Sequence, residues 1–330
     1  MKTRKYITLA IILLIVAFVA GCSSDANKGP AKEKYPTKPV SVIVPNAAGG
    51  PTDIGARMLM PFVEKELGGN MPIINKAGGG GWLGWTDLLN AKPDGYTLAA
   101  INTPHVMSYL DPEIKRSTTN LDSFELLCNH VTDYGIVAIR PNDTRFKNIK
   151  ELIEYARTNE LTTTAGAKGS DDHVAMLKWN KAANTKFVPV FNTKGVAEFQ
   201  AAFLGGHIDV YFGNIGDSLV HFKNGEMKII AVMAPERSKF LPDIPTTKEL
   251  GFEVYSWSSR GFVAPKGMDK ELKDKIVAAF EKAINNPEHI KKMAEIGLAV
   301  NFKKGDDYKN FLLQEEQGIK GVMDMLGWKK

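Results

Sequence analysis

Two glycine loops carry the residue types and spacing from which chemistry can be built. In Val40 to Asp53, VSVIVPNAAGGPTD, the apolar run Val42-Ile43-Val44 stops at Pro45. Gly49 and Gly50 then open turns closed to residues with a Cβ. Thr52 or Asp53 stands where a helix N-cap belongs, ahead of Ile54, Met58, Leu59, Phe62 and Val63. A strand, a glycine turn and a helix start in that order aim backbone N–H groups and a positive dipole end at one point. That is anion-binding chemistry. Asn46, Ala47, Ala48 and Gly50 would offer the contacts, with Thr52 and Asp53 ordering the loop or bonding the ligand through water. For Asp53 the cap is the first reading, since a bare carboxylate facing an anion is unfavourable. The alternative for the whole stretch is a strand-to-helix turn with no ligand.

The second loop, Ala77 to Gly81, follows the strand-like run Met71–Ile74. Its Gly79 and Gly80 would supply an opposing nest of N–H groups. Gly79 to Gly84 also matches the dinucleotide fingerprint G-x-G-x-x-G. That fingerprint needs an acidic residue about twenty positions on, where this chain has Asn102-Thr103.

The elements that must position these loops are those of an α/β fold. Strand-like runs fall at Val40–Val44, Met71–Ile74, Tyr96–Ile101, Ile136–Arg140, Thr162–Ala165, Phe187–Val190, Ile208–Phe212, Ile229–Met233 and Gly261–Ala264. Helical spacing is clear behind Asn148 and behind Asp269. Two more helices close the chain, one opening at Pro287 and one after Gly305-Asp306. Pro61 falls inside the first helix's apolar pattern and should kink or restart it. Met58, Met60 and Phe62 read as core.

The front of the chain is an address. Lys2, Arg4 and Lys5 precede an apolar run, Ile7–Ala20, that ends in Val19-Ala20-Gly21-Cys22. This is similar to a bacterial lipoprotein signal over residues 1–21, with Cys22 as the lipidated residue. Residues 22–34 form a polar tether. The full chain of 330 residues carries a formal charge of +5, and loss of the three n-region cations leaves +2. That balance, with no polybasic run, argues against nucleic acid. With Cys22 lipidated, Cys128 has no intramolecular partner, so the exported part must stand on its hydrophobic core.

The run Tyr35 to Arg57, YPTKPVSVIVPNAAGGPTDIGAR, resembles the opening of the tripartite tricarboxylate transporter substrate-binding proteins, also called the Bug family. The resemblance continues through Asn75–Gly81, Lys92–Leu98, Gly169-Ser170-Asp171-Asp172-His173, Leu204–Asp209, Glu236-Arg237-Ser238 and Leu241–Thr246. It implies an α/β, two-domain clamp of the type II periplasmic-binding-protein kind, each domain a sheet flanked by helices. Domain 1 would comprise residues 35–135 and 258–330, and domain 2 residues 136–257, with crossings near Tyr134–Arg140 and Ser256–Phe262. It further implies a monomer that closes on a small carboxylate and presents it to membrane permease subunits, with no cofactor and no metal. Thr103 and Asn214 enter the site as strand-end residues. Ser170 would cap a helix and bond the ligand's distal end. His173 is either a ligand contact or a packed, hydrogen-bonded histidine.

Three departures from the family pattern stand out. Asn46 replaces an aromatic residue, Trp82 replaces a small polar one, and Val188–Gly195 lacks the tyrosine of the family's Val-Pro-Tyr-Lys-Gly stretch. Trp82 is therefore expected to line or lid the cleft. The competing classes are an envelope-tethered hydrolase and a ligand sensor. The hydrolase reading lacks a G-x-S-x-G elbow, an H-E-x-x-H helix and a paired cysteine and histidine.

Overall fold

The computed structural model describes residues 35–114, 119–191 and 195–328. The expected signal, the tether and Cys22 lie outside them. Contacts divide the chain after Thr37, and the described helices and strands all lie in the body from Lys38 onward.

In chain order β1 (Ser41–Val44) leads through the first glycine loop to α1 (Pro51–Leu67), and β2 (Ile73–Asn75) through the second to α2 (Trp82–Leu89). β3 (Thr97–Thr103) runs into a short 3-10 turn, His105–Leu110, and β4 (Phe124–Ile139) follows. Next come α3 (Ile149–Thr158), β5 (Leu161–Ala165), α4 (Asp171–Ala183), β6 (Phe187–Phe191) and α5 (Val196–Leu204). They lead to β7 (Tyr211–Asn214), α6 (Ile215–Lys223) and β8 (Lys228–Val232). β9 (Trp257–Pro265) returns, and α7 (Lys270–Ile284), α8 (Pro287–Glu295), β10 (Val300–Lys304), α9 (Gly305–Lys320) and α10 (Met323–Leu326) end the chain.

The large sheet runs β10-β4-β9-β3-β1-β2. β1 is parallel to β2 and β3, and its Val42, Ile43 and Val44 are buried, as a central parallel strand requires. β4 belongs to two neighbourhoods. Through Tyr134, paired with Trp257, it lies against β9; from Gly135, paired with Asn214, it lies against β7 and β8. β5 pairs with β6 in parallel and reaches β7 through a bridge between Thr163 and Val210. The C-terminal ends of β1, β2, β3 and β7 therefore converge on the point where β4 changes partners. This is the mixed α/β architecture, a large sheet flanked by helices, that the sequence pattern predicts.

The local reasons are mostly those expected. Asn148 accepts the Glu151 N–H at 3.0 Å and Asp269 that of Leu272 at 3.0 Å, capping α3 and α7. Pro61 does not restart α1, which runs as one helix from Pro51 to Leu67. Both Pro61 and Arg57, whose carbonyl loses its partner, are exposed, so water can satisfy that group. β4 is longer than the Ile136–Arg140 expectation because its first half, FELLCNHVTD, buries Asn129, His130, Thr132 and Asp133, which hide the apolar pattern. β7 begins at Tyr211 rather than Ile208. β10, with its lysines, is an edge strand that the pattern missed. Cys128 is a free, buried thiol, and burial pushes its pKa up.

Candidate ligand-binding site

The first loop is built around an internal carboxylate. Asp53 is 1% exposed and accepts hydrogen bonds from the Gly49 N–H at 2.9 Å, Arg57 Nε at 2.9 Å and Asn75 Nδ2 at 2.8 Å. Burial pushes this carboxyl up, but the hydrogen bonds from Arg57, Gly49 and Asn75 outweigh it and hold the pKa below the usual range. Asn75 Nδ2 also bonds the Asn46 carbonyl at 3.1 Å, tying β2 to the loop. The N-cap of α1 is Gly50, with Pro51 at the first helical position, so neither Thr52 nor Asp53 is the cap. Asp53 instead sits in the first turn, where a negative charge suits the dipole. Its bonds run to the loop, to its own helix and to β2.

What the loop leaves unused is a set of donors. No protein acceptor is found among the described residues for the N–H groups of Ala47, Ala48, Thr52 and Asp53. Gly50's N–H makes only a long 3.4 Å turn bond to Ala47. The Thr52 hydroxyl is likewise without a protein partner among the described residues, and the Asn46 Oδ1 is buried without one. Replacing Asp53 by alanine removes the acceptor that shapes the loop. A loss of about 2 kcal/mol in unfolding free energy is expected, with weakened ligand binding, because hydrogen bonds to charged groups are worth about 1.5–3 kcal/mol. Urea denaturation and titration of the variant check both.

The second loop meets the first at the same sheet edge. Gly78, Gly79, Gly80 and Gly81 all have positive φ, from 54° to 145°, and the N–H groups of Gly79 and Gly80 find no protein acceptor among the described residues. At Gly84 an added Cβ would stand 3.1 Å from Pro45 Cα, Ile43 Cγ2 and the Lys76 carbonyl, which shows how closely α2 lies against the first loop. Trp82 does not lid this space. It is 2% exposed, its indole N–H donates to Ser108 Oγ at 2.7 Å, and it packs edge-on against Trp85. The pairing of its ring with the core explains why a tryptophan is tolerated here.

Thr103 is engaged within the protein. Its hydroxyl lies 2.6 Å from Ser259 Oγ and 2.5 Å from Glu315 Oε2, and the residue is 1% exposed. It joins β3 to β9 and α9.

On the other side of the β4 exchange point, Ser170 and His173 form a closed local network. The Ser170 hydroxyl bonds Asp172 and accepts the Ala167 N–H at 3.3 Å. Ser170 occupies the N-cap position of α4, with no side-chain cap bond. His173 Nδ1 accepts the Gly169 N–H at 3.1 Å, so the ring is neutral with its proton on Nε2. Burial, then Lys168, pulls its pKa down to about 4. His173 is thus the packed, hydrogen-bonded histidine, edge-on to Phe191. Asn214 lies 8% exposed at the end of β7, and its Nδ2 donates to Asp171 Oδ2 at 2.6 Å. Part of the Val188–Gly195 stretch, Asn192–Lys194, lies outside the described residues.

Sequence reasoning missed the charged groups at the exchange point. Asp133, in β4, accepts the Gly216 N–H of α6 at 3.0 Å and meets Arg260 of β9 at 3.4 Å. Burial pushes Asp133 up to about 6 against the pull of Arg260. Burial likewise raises Asp172 and Asp217 to about 7. Only the strand-end rule, extended to antiparallel β9, could have found Arg260.

The arrangement can hold an anion on main-chain donors. Known proteins agree. The family model described as tripartite tricarboxylate transporter family receptor, TctC, matches residues 56–327. The chain is 28% identical over 337 residues to the "UPF0065 protein in gbd 5'region" of Cupriavidus necator, spanning 100% of this chain and 99% of that protein. The solved structure of periplasmic binding protein BugD is similar with a TM-score of 0.74 and 28% identity, over 90% of this chain and 100% of BugD. MatC from Rhodopseudomonas palustris, solved with bound malate, shares the fold with a TM-score of 0.72 and 24% identity, over 88% of this chain and 100% of MatC. The chain belongs to the TctC family of tripartite tricarboxylate transporter receptors, and is a periplasmic solute-binding receptor and not an enzyme.

Proposed function

We propose that this receptor captures a small carboxylate between two lobes, residues 35–135 with 258–330 and residues 136–257, and delivers it to the permease of a tripartite tricarboxylate-type transporter. It does so as a monomer, held at the membrane by lipid on Cys22. The observation that carries the reading is the pair of adjoining loops whose N–H groups at Ala47, Ala48, Gly79 and Gly80 have no protein acceptor among the described residues. Unused donors at a helix start favour a carboxylate. The change of partners along β4 between Tyr134 and Gly135, with Trp257 opposite, supports a hinge there. MatC's malate supports the ligand class. Cys22 behind a signal-like run supports the anchor.

A thermal-shift screen of mono-, di- and tricarboxylates tests it. A bound ligand at about a hundredfold over its dissociation constant adds about 2.7 kcal/mol to native stability, a clear upward shift. Thr52→Ala should reduce the shift. A flat response across all three classes overturns the reading. Lipidation is checked separately by a Cys22→Ala variant, which should leave the membrane fraction.

A further inference from the structure

The large sheet has two faces at its ligand-side edge, and one of them carries an arginine with spare donors. Gly84 of α2 packs on Ile43, so α2 covers the face of Ile43, Ala99 and Ile101. The opposite face holds Val42, paired with Leu98, then Ala100, paired with Phe262, and then Asn102, paired with Arg260. Phe262 meets Phe280 of α7 at 4.8 Å and His130 at 6.2 Å, while Phe62 of α1 meets His289 at 5.4 Å. This is the α1 face. Arg260 and Asn102 therefore lie on the same side and at the same edge as the start of α1.

Arg260 is 8% exposed, yet its one protein partner among the described residues is Asp133, reached through Nη1 at 3.4 Å. Nε and Nη2 have none. A buried guanidinium normally meets a carboxylate with two parallel bonds. Asn102, 4% exposed, has an Oδ1 with no partner. Asn102 Oδ1 is thus a buried acceptor without a partner, adjacent in register to guanidinium nitrogens that no protein group among the described residues accepts from. Asp133 meets Arg260 through one oxygen only, while the Gly216 N–H of α6 donates to the other. Strand spacing places β9 two strands, or about 10 Å, from β1. With a hydrogen bond of about 2.9 Å at each end, that gap is the span of a short diacid. The facing elements, by contrast, present Asp171, Asp172 and Asp217 and would repel a second carboxylate turned their way.

We infer that Arg260 grips the second carboxylate of a short-chain dicarboxylate whose first carboxylate rests on the two glycine loops. The inference rests on the carboxylate-capture reading and narrows it from carboxylates at large to diacids. Arg260 is then the residue that sets specificity, and the main-chain nests supply the affinity common to any carboxylate.

Calorimetric titration of the full chain with succinate and adipate, against butyrate and hexanoate, tests this. The variants are Arg260→Lys, which keeps charge but loses the fork, and Arg260→Met combined with Asp133→Asn, which leaves no buried acid unpaired. Wild type should prefer the best diacid to its monoacid by about 100-fold, the worth of one buried charged contact. The double variant should lose that preference while holding the monoacid within about 3-fold of wild type, and Arg260→Lys should fall between. A folded double variant that still prefers the diacid overturns the inference, as does an unchanged diacid affinity in Arg260→Lys. A wild-type chain that binds butyrate or hexanoate as well as the diacids overturns it while leaving carboxylate capture standing. One that binds none of the four overturns both.

Discussion

Gly81→Ala is expected to cost about 3 kcal/mol in unfolding free energy and to abolish tight carboxylate binding. Gly81 has φ +99°, and an added Cβ would stand 2.7, 2.9 and 3.1 Å from three ring carbons of Trp85. Trp85 is fully buried, donates its indole N–H to the Ala100 carbonyl at 3.0 Å and packs edge-on against Trp82 at 5.3 Å. The ring has nowhere to move, so the loop moves instead. Left-handed strain costs of order 1–3 kcal/mol and overpacking about the same. Gly80→Ala separates the two effects. Its φ is +66°, but nothing lies within 4 Å of its added Cβ, so only strain applies there. Urea denaturation should rank wild type above Gly80→Ala and Gly80→Ala above Gly81→Ala. Equal losses in the two variants would show that the Trp85 contact does not hold the loop.

How much of this was legible in the sequence depends on whether a residue's role is local. The glycine loops, the α3 and α7 caps and the alternation of strands and helices follow from short-range rules, and the structure places them close to expectation. The roles of Asp53 and His173 were half legible. Their residue types allowed both a ligand contact and an internal partner, and only the positions of Gly49, Asn75 and Gly169 reveal the internal one. The partners of Thr103 and Trp82, Glu315 and Ser108, were not legible because they come from other elements. Arg260 and Asp133 were invisible for the same reason. Each is an ordinary charged residue within an apolar stretch until register sets Asn102 opposite Arg260 and brings Asp133 to 3.4 Å.

Glu315 shows how far such distant contacts reach into stability. It is buried on α9, accepts the Thr103 hydroxyl, and has its pKa pushed up to about 8, chiefly by burial, with Thr103 and Lys178 opposing. Burial in turn lowers the pKa of Lys178, whose ammonium group donates to the Tyr255 carbonyl at 2.8 Å. The unfolded carboxyl titrates near 4.3. Because the folded value is the higher one, the contribution of Glu315 is fully present below about pH 4.3 and is lost as pH rises through about 8. Glu315→Gln cannot ionise and escapes that loss. Relative to wild type, the variant should gain roughly 2–5 kcal/mol between pH 5 and pH 8.5. His130, His289 and the raised acids Asp133, Asp172 and Asp217 titrate in both proteins, so their effects cancel in the difference. Denaturation curves at the two pH values, for both proteins, give the four numbers required. A difference that stays constant with pH would mean that Glu315 is ionised and paired with Lys178, and that the seam between β3 and α9 is held by charge instead of by a neutral acid.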